Sequence, residues 1–297
     1  MKVGIHLGGL GGGHEVRGIG VHTKELFKRL KVEEYNPEKK YDLVHYTVFK
    51  PFTFSLPFRK PAKKVVLTIH DLIPHIYPKH YPGGIKGNLI FLIQKCLIKR
   101  NVDAIITISE TSKKDICRFL EVDPSKVHVV YLAPKKIFKR IADSEKRIVA
   151  EKYRLPKTFA LYVGDVNYNK NIPDLIEMCK DVNIPLVIVG KQAKEIRDGD
   201  RDLSHPELKH LEKVDWGKTI TLGFIDDDDL AAIYNLADVY IQPSFYEGFS
   251  LPPLEAKTCG TWVIATRIQA HVEILESGRE YSWEKTARET LGVYEKI

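Results

Sequence analysis

Residues 247–255 read Glu-Gly-Phe-Ser-Leu-Pro-Pro-Leu-Glu and follow the apolar run Val239–Gln242. The apolar run predicts a buried strand. The stretch Ser250-Leu251-Pro252-Pro253 predicts a helix that begins with a hydroxyl cap and has prolines in its first turn. The N–H groups of a first helical turn, at the positive end of the helix dipole, suit a diphosphate. Glu247 and Glu255 flank this turn, and carboxylates accept hydrogen bonds from hydroxyl groups. The stretch therefore predicts a strand–helix unit that binds a phosphorylated ligand rich in hydroxyls.

Short apolar runs alternate with amphipathic stretches along the 297 residues, which is typical of parallel sheets covered by helices. The predicted strands are Lys2–Leu7, Leu43–Tyr46, Val65–Ile69, Ala104–Ile108, Val127–Tyr131, Phe159–Val163, Pro185–Val189, Thr219–Leu222, Val239–Gln242 and Trp262–Ala265. In the first half, the predicted helices are Val21–Leu30, Gly87–Lys99 and Ser112–Leu120, the last capped by a hydroxyl of the 109–112 stretch.

This α/β pattern predicts two Rossmann-like domains that face each other across a cleft. The N-terminal domain is expected over residues 1–140 and the C-terminal domain over 158–280, joined by a linker over 141–157 that includes a short helix. Residues 281–297 are expected to form a packing helix. Two joins, near 31–36 and 278–281, look short for such a fold, so we expect segments to be missing there.

Composition narrows the class of protein. No apolar stretch approaches the about 20 residues that a membrane span needs, and residues 1–5 run directly into a predicted strand, so we expect no secretory leader. Four scattered cysteines predict neither a disulfide framework nor a metal site, which suits a cytoplasmic protein. Residues 1–140 hold 26 Lys and Arg against 12 Asp and Glu. This excess of positive charge favours contact with an anionic partner or membrane surface, or it is simply a lysine-rich face exposed to solvent.

Two further loops carry candidate residues. Lys170 lies after the strand Phe159–Val163, where its charge can stabilise a departing diphosphate. Residues 8–13 and 18–20 are mostly glycine, and such turns let backbone N–H groups approach a phosphate closely. The glycine spacing does not match the dinucleotide fingerprint, which weakens a dehydrogenase interpretation.

Several of these motifs together resemble one family. The 247–255 stretch and its continuation through Cys259–Ala265 resemble the retaining GT-B glycosyltransferases of the group 1 or family-four type. Residues 17–20 (Arg-Gly-Ile-Gly) and 70–74 (His-Asp-Leu-Ile-Pro) resemble two further motifs of that family. The sequence departs from the family pattern at Ser250, where glycine is usual, and at Asp165, where a phosphate-binding arginine is usual.

The resemblance implies transfer of a hexose from a nucleotide sugar with retained anomeric configuration and without a required metal or other cofactor. UDP-glucose and GDP-mannose are equally compatible donors, and a glycan or lipid-linked molecule is the expected acceptor. The implied catalytic residues are His70, Glu247 and Lys170. The implied donor-binding residues are Gly18, Gly20, Asn169, Ser250, Leu251 and Glu255. His45 is a weaker candidate, and Asp71 is expected to hold a loop or His70.

The segment Gly87–Lys99 permits two interpretations. Its nearly continuous apolar residues favour core packing, whereas the lysines around it are typical of a membrane-surface helix. A peripheral contact of the basic domain with the cytoplasmic membrane face is therefore an open expectation, and nucleic acid is not an expected partner. Two other functions remain open: a non-catalytic binder of anionic partners, and a nucleotide-linked dehydrogenase or epimerase.

Overall fold

A computed structural model of the protein describes residues 1–8 and 18–297. Most of the predicted glycine loop, including Arg17, lies outside the described residues. The chain forms two compact units. Unit 1 comprises Met1–Pro78, Pro82–Ala133 and Arg279–Ile297, and unit 2 comprises Lys79–Tyr81 and Pro134–Gly278.

Unit 1 contains a parallel sheet with the strand order β2-β1-β3-β4-β5-β6. The strands are β1 (Val3–His6), β2 (Glu33–Glu34), β3 (Leu43–Tyr46), β4 (Lys64–Thr68), β5 (Ala104–Thr107) and β6 (Val127–Val129). The helices are α1 (Gly18–Arg29), α2 (Ile73–Ile76), α3 (Gly84–Asn101), α4 (Glu110–Leu120) and α11 (Trp283–Lys296), the last numbered by its place in the whole chain.

Unit 2 contains a parallel sheet with the order β11-β10-β7-β8-β9. The strands are β7 (Ala160–Val163), β8 (Leu186–Val189), β9 (Ile220–Gly223), β10 (Val239–Gln242) and β11 (Trp262–Ala265). The helices are α5 (Asp143–Lys152), α6 (Ile172–Asp181), α7 (Lys191–Asp198), α8 (Asp227–Leu236), α9 (Leu251–Cys259) and α10 (Gln269–Leu275).

The central strands of each sheet are covered on both faces, since successive side chains of a strand point to opposite sides and both sets are buried. In β4, Val65 and Leu67 belong to one apolar cluster and Val66 to another. In β7, Leu161 and Tyr162 are divided between two clusters in the same way. The predicted class of two α/β units with parallel sheets is confirmed.

The strand order places the candidate site in unit 2. The chain adds β8 and β9 on one side of β7, and then β10 and β11 on the other side. Ligands of such sheets bind at the carboxyl ends of the two strands where the order reverses. In unit 2 these strands are β7 and β10, which Lys170 and Glu247 follow in sequence. The corresponding reversal in unit 1 lies between β1 and β3.

Several predicted boundaries need correction. Helix α1 begins at Gly18 rather than at Val21, so Gly18 and Gly20 lie in its first turn. The short join after α1 contains β2, a two-residue edge strand paired with β1, which the sequence did not predict. By contrast, the short helix expected in the linker over 141–157 is present as α5, and the neighbouring Tyr153 donates a hydrogen bond to Asp229 of α8 (2.6 Å).

Helix α3 also differs from its favoured interpretation. Leu97 and Ile98 are buried, as core packing requires. Leu89 and Leu92 are exposed instead, because the outward face of the helix is apolar as well. The outer face of the edge strand β11 is similarly uncovered, with Trp262 82% exposed and Ile264 exposed.

Side chains cap the starts of two helices. Ser109 accepts a hydrogen bond from the backbone N–H of Ser112 (2.9 Å) and caps α4, which confirms the prediction for this helix. The acidic run that starts at Asp226 begins α8, and the Asp226 carboxylate accepts from the backbone N–H of Asp229 (3.0 Å).

The close approach of β7 and β8 at their carboxyl ends requires glycine at position 190. A Cβ atom there would lie 2.3 Å from the carbonyl oxygen of Gly164, which is backbone and cannot rotate away. We expect Gly190→Ala to lower the free energy of unfolding by about 2 kcal/mol or more, because the two strand ends must separate. Chemical denaturation followed by circular dichroism measures this change.

Gly292, inside α11, is the matched control, since a Cβ atom there meets nothing within 4 Å. Gly292→Ala should leave stability unchanged or raise it by about 0.5–1 kcal/mol through helix propensity. Equal effects of the two alanine substitutions would contradict the steric argument at Gly190.

Candidate active site

The centre of the candidate site is an ion pair between the ends of β7 and β10. Lys170 ends a 3₁₀ turn, Tyr168–Lys170, and its Nζ lies 2.7 Å from Oε1 and 2.8 Å from Oε2 of Glu247. Glu247 is buried, whereas Lys170 is partly exposed. The structure therefore brings together two of the three predicted catalytic residues, and each neutralises the other's charge.

Two residues that sequence reasoning missed fix the carboxylate of Glu247. Ser244 Oγ donates to Glu247 Oε1 over 2.7 Å, and Gln242 Nε2 donates to the same oxygen over 3.1 Å. Both donors are buried at the end of β10. Oε1 thus accepts from three groups, so Glu247 is held as an oriented hydrogen-bond acceptor.

Asn169 occupies a structural position beside this pair. Its side-chain amide donates to the carbonyl of Tyr246 (3.0 Å) and accepts from the hydroxyl of Tyr81 (2.7 Å). Next to it, the ring of His80 stacks on Tyr168 with centroids 3.3 Å apart. These contacts anchor the turn that carries Lys170, and they engage the side chain of Asn169, which the resemblance assigns to the donor.

Ser250 does not cap α9 with its hydroxyl, and this prediction was wrong. The residue has φ 75° and ψ 80°, in the left-handed region, whereas a side-chain cap requires extended backbone. Its side chain is buried, and its Oγ has no hydrogen-bond partner among the described residues. The family's usual glycine adopts this conformation without strain, so the departure at Ser250 has a conformational cost.

The first turn of α9 still offers two backbone donors. Pro252 and Pro253 have no N–H, so only Ser250 and Leu251 carry the amide groups that the first turn leaves unpaired. Two such amide groups at the positive end of a helix dipole suit an anion, and they belong to two of the predicted donor-binding residues.

Replacing Ser250 by glycine tests the strain at the start of α9. We expect Ser250→Gly to raise the free energy of unfolding by about 1 kcal/mol, because it removes both the left-handed penalty and the unpaired hydroxyl. Ser250→Ala removes only the hydroxyl and should give a smaller gain. Thermal denaturation of the three proteins side by side measures the order, and a destabilised glycine variant would contradict it.

Glu255 lies in α9 and bonds to α8. Its Oε2 accepts from the hydroxyl of Tyr234 over 3.0 Å. Burial raises the pKa of Glu255 to about 7, and the Tyr234 hydrogen bond opposes that rise. Near neutral pH the carboxyl group is therefore partly protonated. The protonated form can donate a hydrogen bond, and the ionised form is the acceptor that a ribose hydroxyl would need.

The loop after β7 does not replace the missing arginine with another cation. The carbonyl of Asp165 accepts from Tyr162 (2.6 Å), and Asn167 Oδ1 accepts from Gln192 (2.8 Å). Within the part of the chain that the structure describes, no cluster of three or more His, Cys, Asp or Glu side chains could hold a metal ion.

In unit 1, the predicted catalytic residue His70 is paired with a second histidine. His70 Nε2 lies 3.0 Å from Nδ1 of His22, a buried residue of α1 that sequence reasoning missed. Burial lowers the pKa of His70 to about 4 and also lowers the pKa of His22 well below its usual value. Both rings are therefore neutral at pH 7, and one N–H is shared between them.

His45 has a packing role in unit 1. Its two ring nitrogens lie 2.7 Å from Thr68 Oγ1 and 2.6 Å from the hydroxyl of Tyr294 in α11. Burial lowers its pKa to about 3. Asp71 accepts from the backbone N–H of Ile73 (3.1 Å), which confirms that it holds a loop.

The buried histidines predict a pH-dependent stability. Their folded pKa values lie below the unfolded value near 6.5, so between pH 6.5 and 4.5 the unfolded chain binds protons that the folded chain does not. The free energy of unfolding should fall with decreasing pH by up to about 1.4 kcal/mol per pH unit for each histidine.

His45→Gln isolates one of these contributions. Urea titrations at several pH values should show a slope reduced by about 1.4 kcal/mol per pH unit relative to the parent protein. Thr68→Val, which removes a hydrogen bond at the same place but no titratable group, should leave the slope unchanged. A parent slope retained by His45→Gln would show that His45 is not held neutral.

Comparison with known proteins relates this geometry to a family. The family model described as glycosyl transferases group 1 matches residues 143–289, and the model described as glycosyltransferase family 4 matches residues 20–133. Together the two models span most of both units. The chain belongs to the group 1 glycosyltransferases.

Sequence relatives come from polysaccharide synthesis. The serotype-specific mannosyltransferase WbdA of Escherichia coli is 30% identical over 232 residues, which are 75% of this chain and 28% of WbdA. The O-antigen chain mannosyltransferase B of Escherichia coli is 27% identical over 75% of this chain and 57% of its own length. The chain thus spans less than two thirds of these relatives.

Solved structures of glycosyltransferases share the fold. HepE of Anabaena, in complex with UDP-glucose, has a TM-score of 0.64 and 15% identity over 99% of this chain and 89% of its own. Sucrose-phosphate synthase of Thermosynechococcus elongatus has a TM-score of 0.58 and 19% identity over 86% of this chain and 65% of its own. These similarities confirm the GT-B class. Within the residues that the structure describes, no helix is long and apolar enough to cross a membrane.

The glycosyltransferase motifs account for only part of the site. Gln242 and Ser244 are two positions apart, on the same face of the chain at the end of β10, and this alternation was a signal that sequence reasoning could have used. His22 and Tyr294 gave no such signal, because helical residues far apart in sequence meet the histidines only in the folded unit.

Proposed function

We propose that this glycosyltransferase moves a hexosyl group from a UDP- or GDP-linked sugar to a glycan or lipid-linked acceptor, with retained anomeric configuration. The observation that supports it is the Lys170–Glu247 pair, together with the two amide donors at the start of α9. The relatives named as mannosyltransferases favour a mannosyl donor, and the neighbour in complex with UDP-glucose keeps a glucosyl donor open.

In the proposed reaction, the bond between the sugar's anomeric carbon and the diphosphate oxygen breaks. The acceptor oxygen forms its bond on the same face of the sugar, and its proton passes to the departing diphosphate. Lys170 and the N–H groups of Ser250 and Leu251 stabilise the charge that develops on the diphosphate.

Glu247 is proposed to accept hydrogen bonds from sugar hydroxyls, and Glu255 from the ribose. We also propose His70, as a neutral ring, for a hydrogen bond to the donor sugar, and Gly18, Gly20 and Asn169 for the donor. These four assignments rest on the family resemblance. The proposed reaction requires no metal or other cofactor, and the proposed location is the cytoplasm, peripheral to the membrane.

The competition between Glu247 and a diphosphate for Lys170 gives a sharp test. In Glu247→Gln, Lys170 loses its anionic partner, so UDP or GDP should bind at least as tightly as to the parent protein. Turnover of the nucleotide sugar should fall about a hundredfold or more, because the sugar loses an oriented carboxylate. Isothermal titration in the presence of a chelator gives the affinity, and release of nucleoside diphosphate gives the turnover.

Companion variants assign the remaining contacts. Lys170→Met combined with Glu247→Gln avoids a buried unpaired carboxylate and should bind the diphosphate about tenfold more weakly than Glu247→Gln alone. Glu255→Gln should weaken binding at pH 8 and remove its increase between pH 6 and pH 8, since the carboxylate forms as pH rises through about 7.

The matched control is the exposed ion pair of Lys180 and Asp215 in the same unit (2.7 Å). Lys180→Met with Asp215→Asn should leave both affinity and turnover unchanged. Parent-like nucleotide affinity in both the Lys170 and the Glu255 variants would remove the site assignment. Absence of binding to any nucleotide sugar, with the fold intact, would remove the proposed function.

A further inference from the structure

Helix α3 of unit 1 exposes an apolar stripe to solvent. Ile85 is 92% exposed, Leu89 58% and Leu92 57%, and Cys96 is exposed one turn further. Their spacing of four, three and four residues places them on one side of the helix, over about 16 Å. The opposite side of α3 is the buried one, so this stripe is additional to the face that packs on the core.

The charged residues of helix α3 itself are all basic. Helix α3 contains four basic residues and no acidic residue, and its two ends carry the exposed Lys86 and Arg100. The carboxylate of Glu121, outside the helix, lies 2.7 Å from the Nζ of Lys95 and 3.1 Å from that of Lys99. Basic groups at both ends of an apolar stripe match the pattern of helices that lie in the plane of an anionic membrane surface.

Two exposed aromatic side chains lie on a segment that is fixed to the same helix. Phe54 and Phe58 are exposed on the segment that precedes β4, with ring centroids 5.3 Å apart. This segment is fixed along α3, because the Gln94 side chain accepts from the N–H of Ser55 (2.8 Å) and Asn101 donates to the carbonyl of Phe58 (3.3 Å). The exposed rings are therefore held beside the helix rather than on an unattached loop.

We propose that the stripe of Ile85, Leu89 and Leu92, with its basic surroundings and with Phe54 and Phe58 on the neighbouring segment, docks on anionic phospholipid. A second copy of the chain fits less well, because pairing two α3 helices would bring four like charges of each together. In the docked state, the stripe lies parallel to the membrane plane and enters the boundary between headgroups and acyl chains.

Lipid docking extends the proposed use of a lipid-linked acceptor, but its test does not depend on transferase activity. The full chain is sedimented with vesicles of phosphatidylcholine alone, or of phosphatidylcholine mixed with phosphatidylglycerol, without nucleotide sugar. We expect partitioning onto the anionic vesicles that decreases at high salt. Leu89→Gln combined with Leu92→Gln should reduce this partitioning at least about tenfold, since two apolar side chains that would enter the membrane are lost.

The matched control places the same change on exposed apolar side chains of other helices, Ile148 of α5 and Leu291 of α11. Ile148→Gln with Leu291→Gln should partition like the parent protein. Lys86→Gln with Arg100→Gln should weaken binding to anionic vesicles and reduce its salt dependence. Circular dichroism verifies that each variant is folded.

Three results would overturn lipid docking. The first is no partitioning of the parent protein onto anionic vesicles at low salt. The second is equal partitioning of the parent and the Leu89/Leu92 variant. The third is a dimer in solution that this variant converts to a monomer, with no vesicle binding by either, which would identify a second copy as the occupant. Nucleotide binding by titration remains a separate measurement, so failure of either proposal is recognised by itself.

Discussion

The ion pair of Lys170 and Glu247 determines how the candidate site is built. Both residues follow strands at the point where the sheet of unit 2 reverses its order, so the topology alone brings their backbones together. A buried carboxylate is costly unless it is paired and hydrogen-bonded, and Lys170, Ser244 and Gln242 meet that requirement. The turn that carries Lys170 is in turn fixed by Asn169. The site is therefore organised before any ligand binds, and a diphosphate has to compete with Glu247 for the only charge that the 3₁₀ turn offers.

Much of this arrangement could be predicted from the sequence, because it depends on local patterns. The apolar runs before Lys170 and Glu247 predict strands, and alternation along them predicts which side chains enter which core. The cap at Ser109 was predicted correctly, because the backbone there is extended and its hydroxyl can reach the helix. At Ser250 the residue type suggested the same cap, but the backbone there is left-handed, which residue type alone does not reveal.

Interactions between distant segments could not be predicted in the same way. The pair His22–His70 joins α1 to the segment after β4, and the pair His45–Tyr294 joins β3 to α11. The residues of these elements carry no shared pattern in the sequence. The sequence also did not predict which apolar face of α3 is buried, because a continuous apolar run indicates burial without indicating which residues remain at the surface. Burial then determines the chemistry of the histidines: the desolvation that lowers their pKa values makes them hydrogen-bonding groups rather than cations.

The position of Trp283 gives unit 1 an optical reporter of its own. The other two tryptophans, Trp216 and Trp262, belong to unit 2, whereas Trp283 is buried at the start of α11 with its ring stacked on His22 at a centroid distance of 6.2 Å. A protonated imidazole quenches indole emission far more strongly than a neutral one does. The emission of Trp283 therefore depends on the charge of His22, and because Trp283 is the single tryptophan of unit 1, its share of the protein's fluorescence reports on that unit.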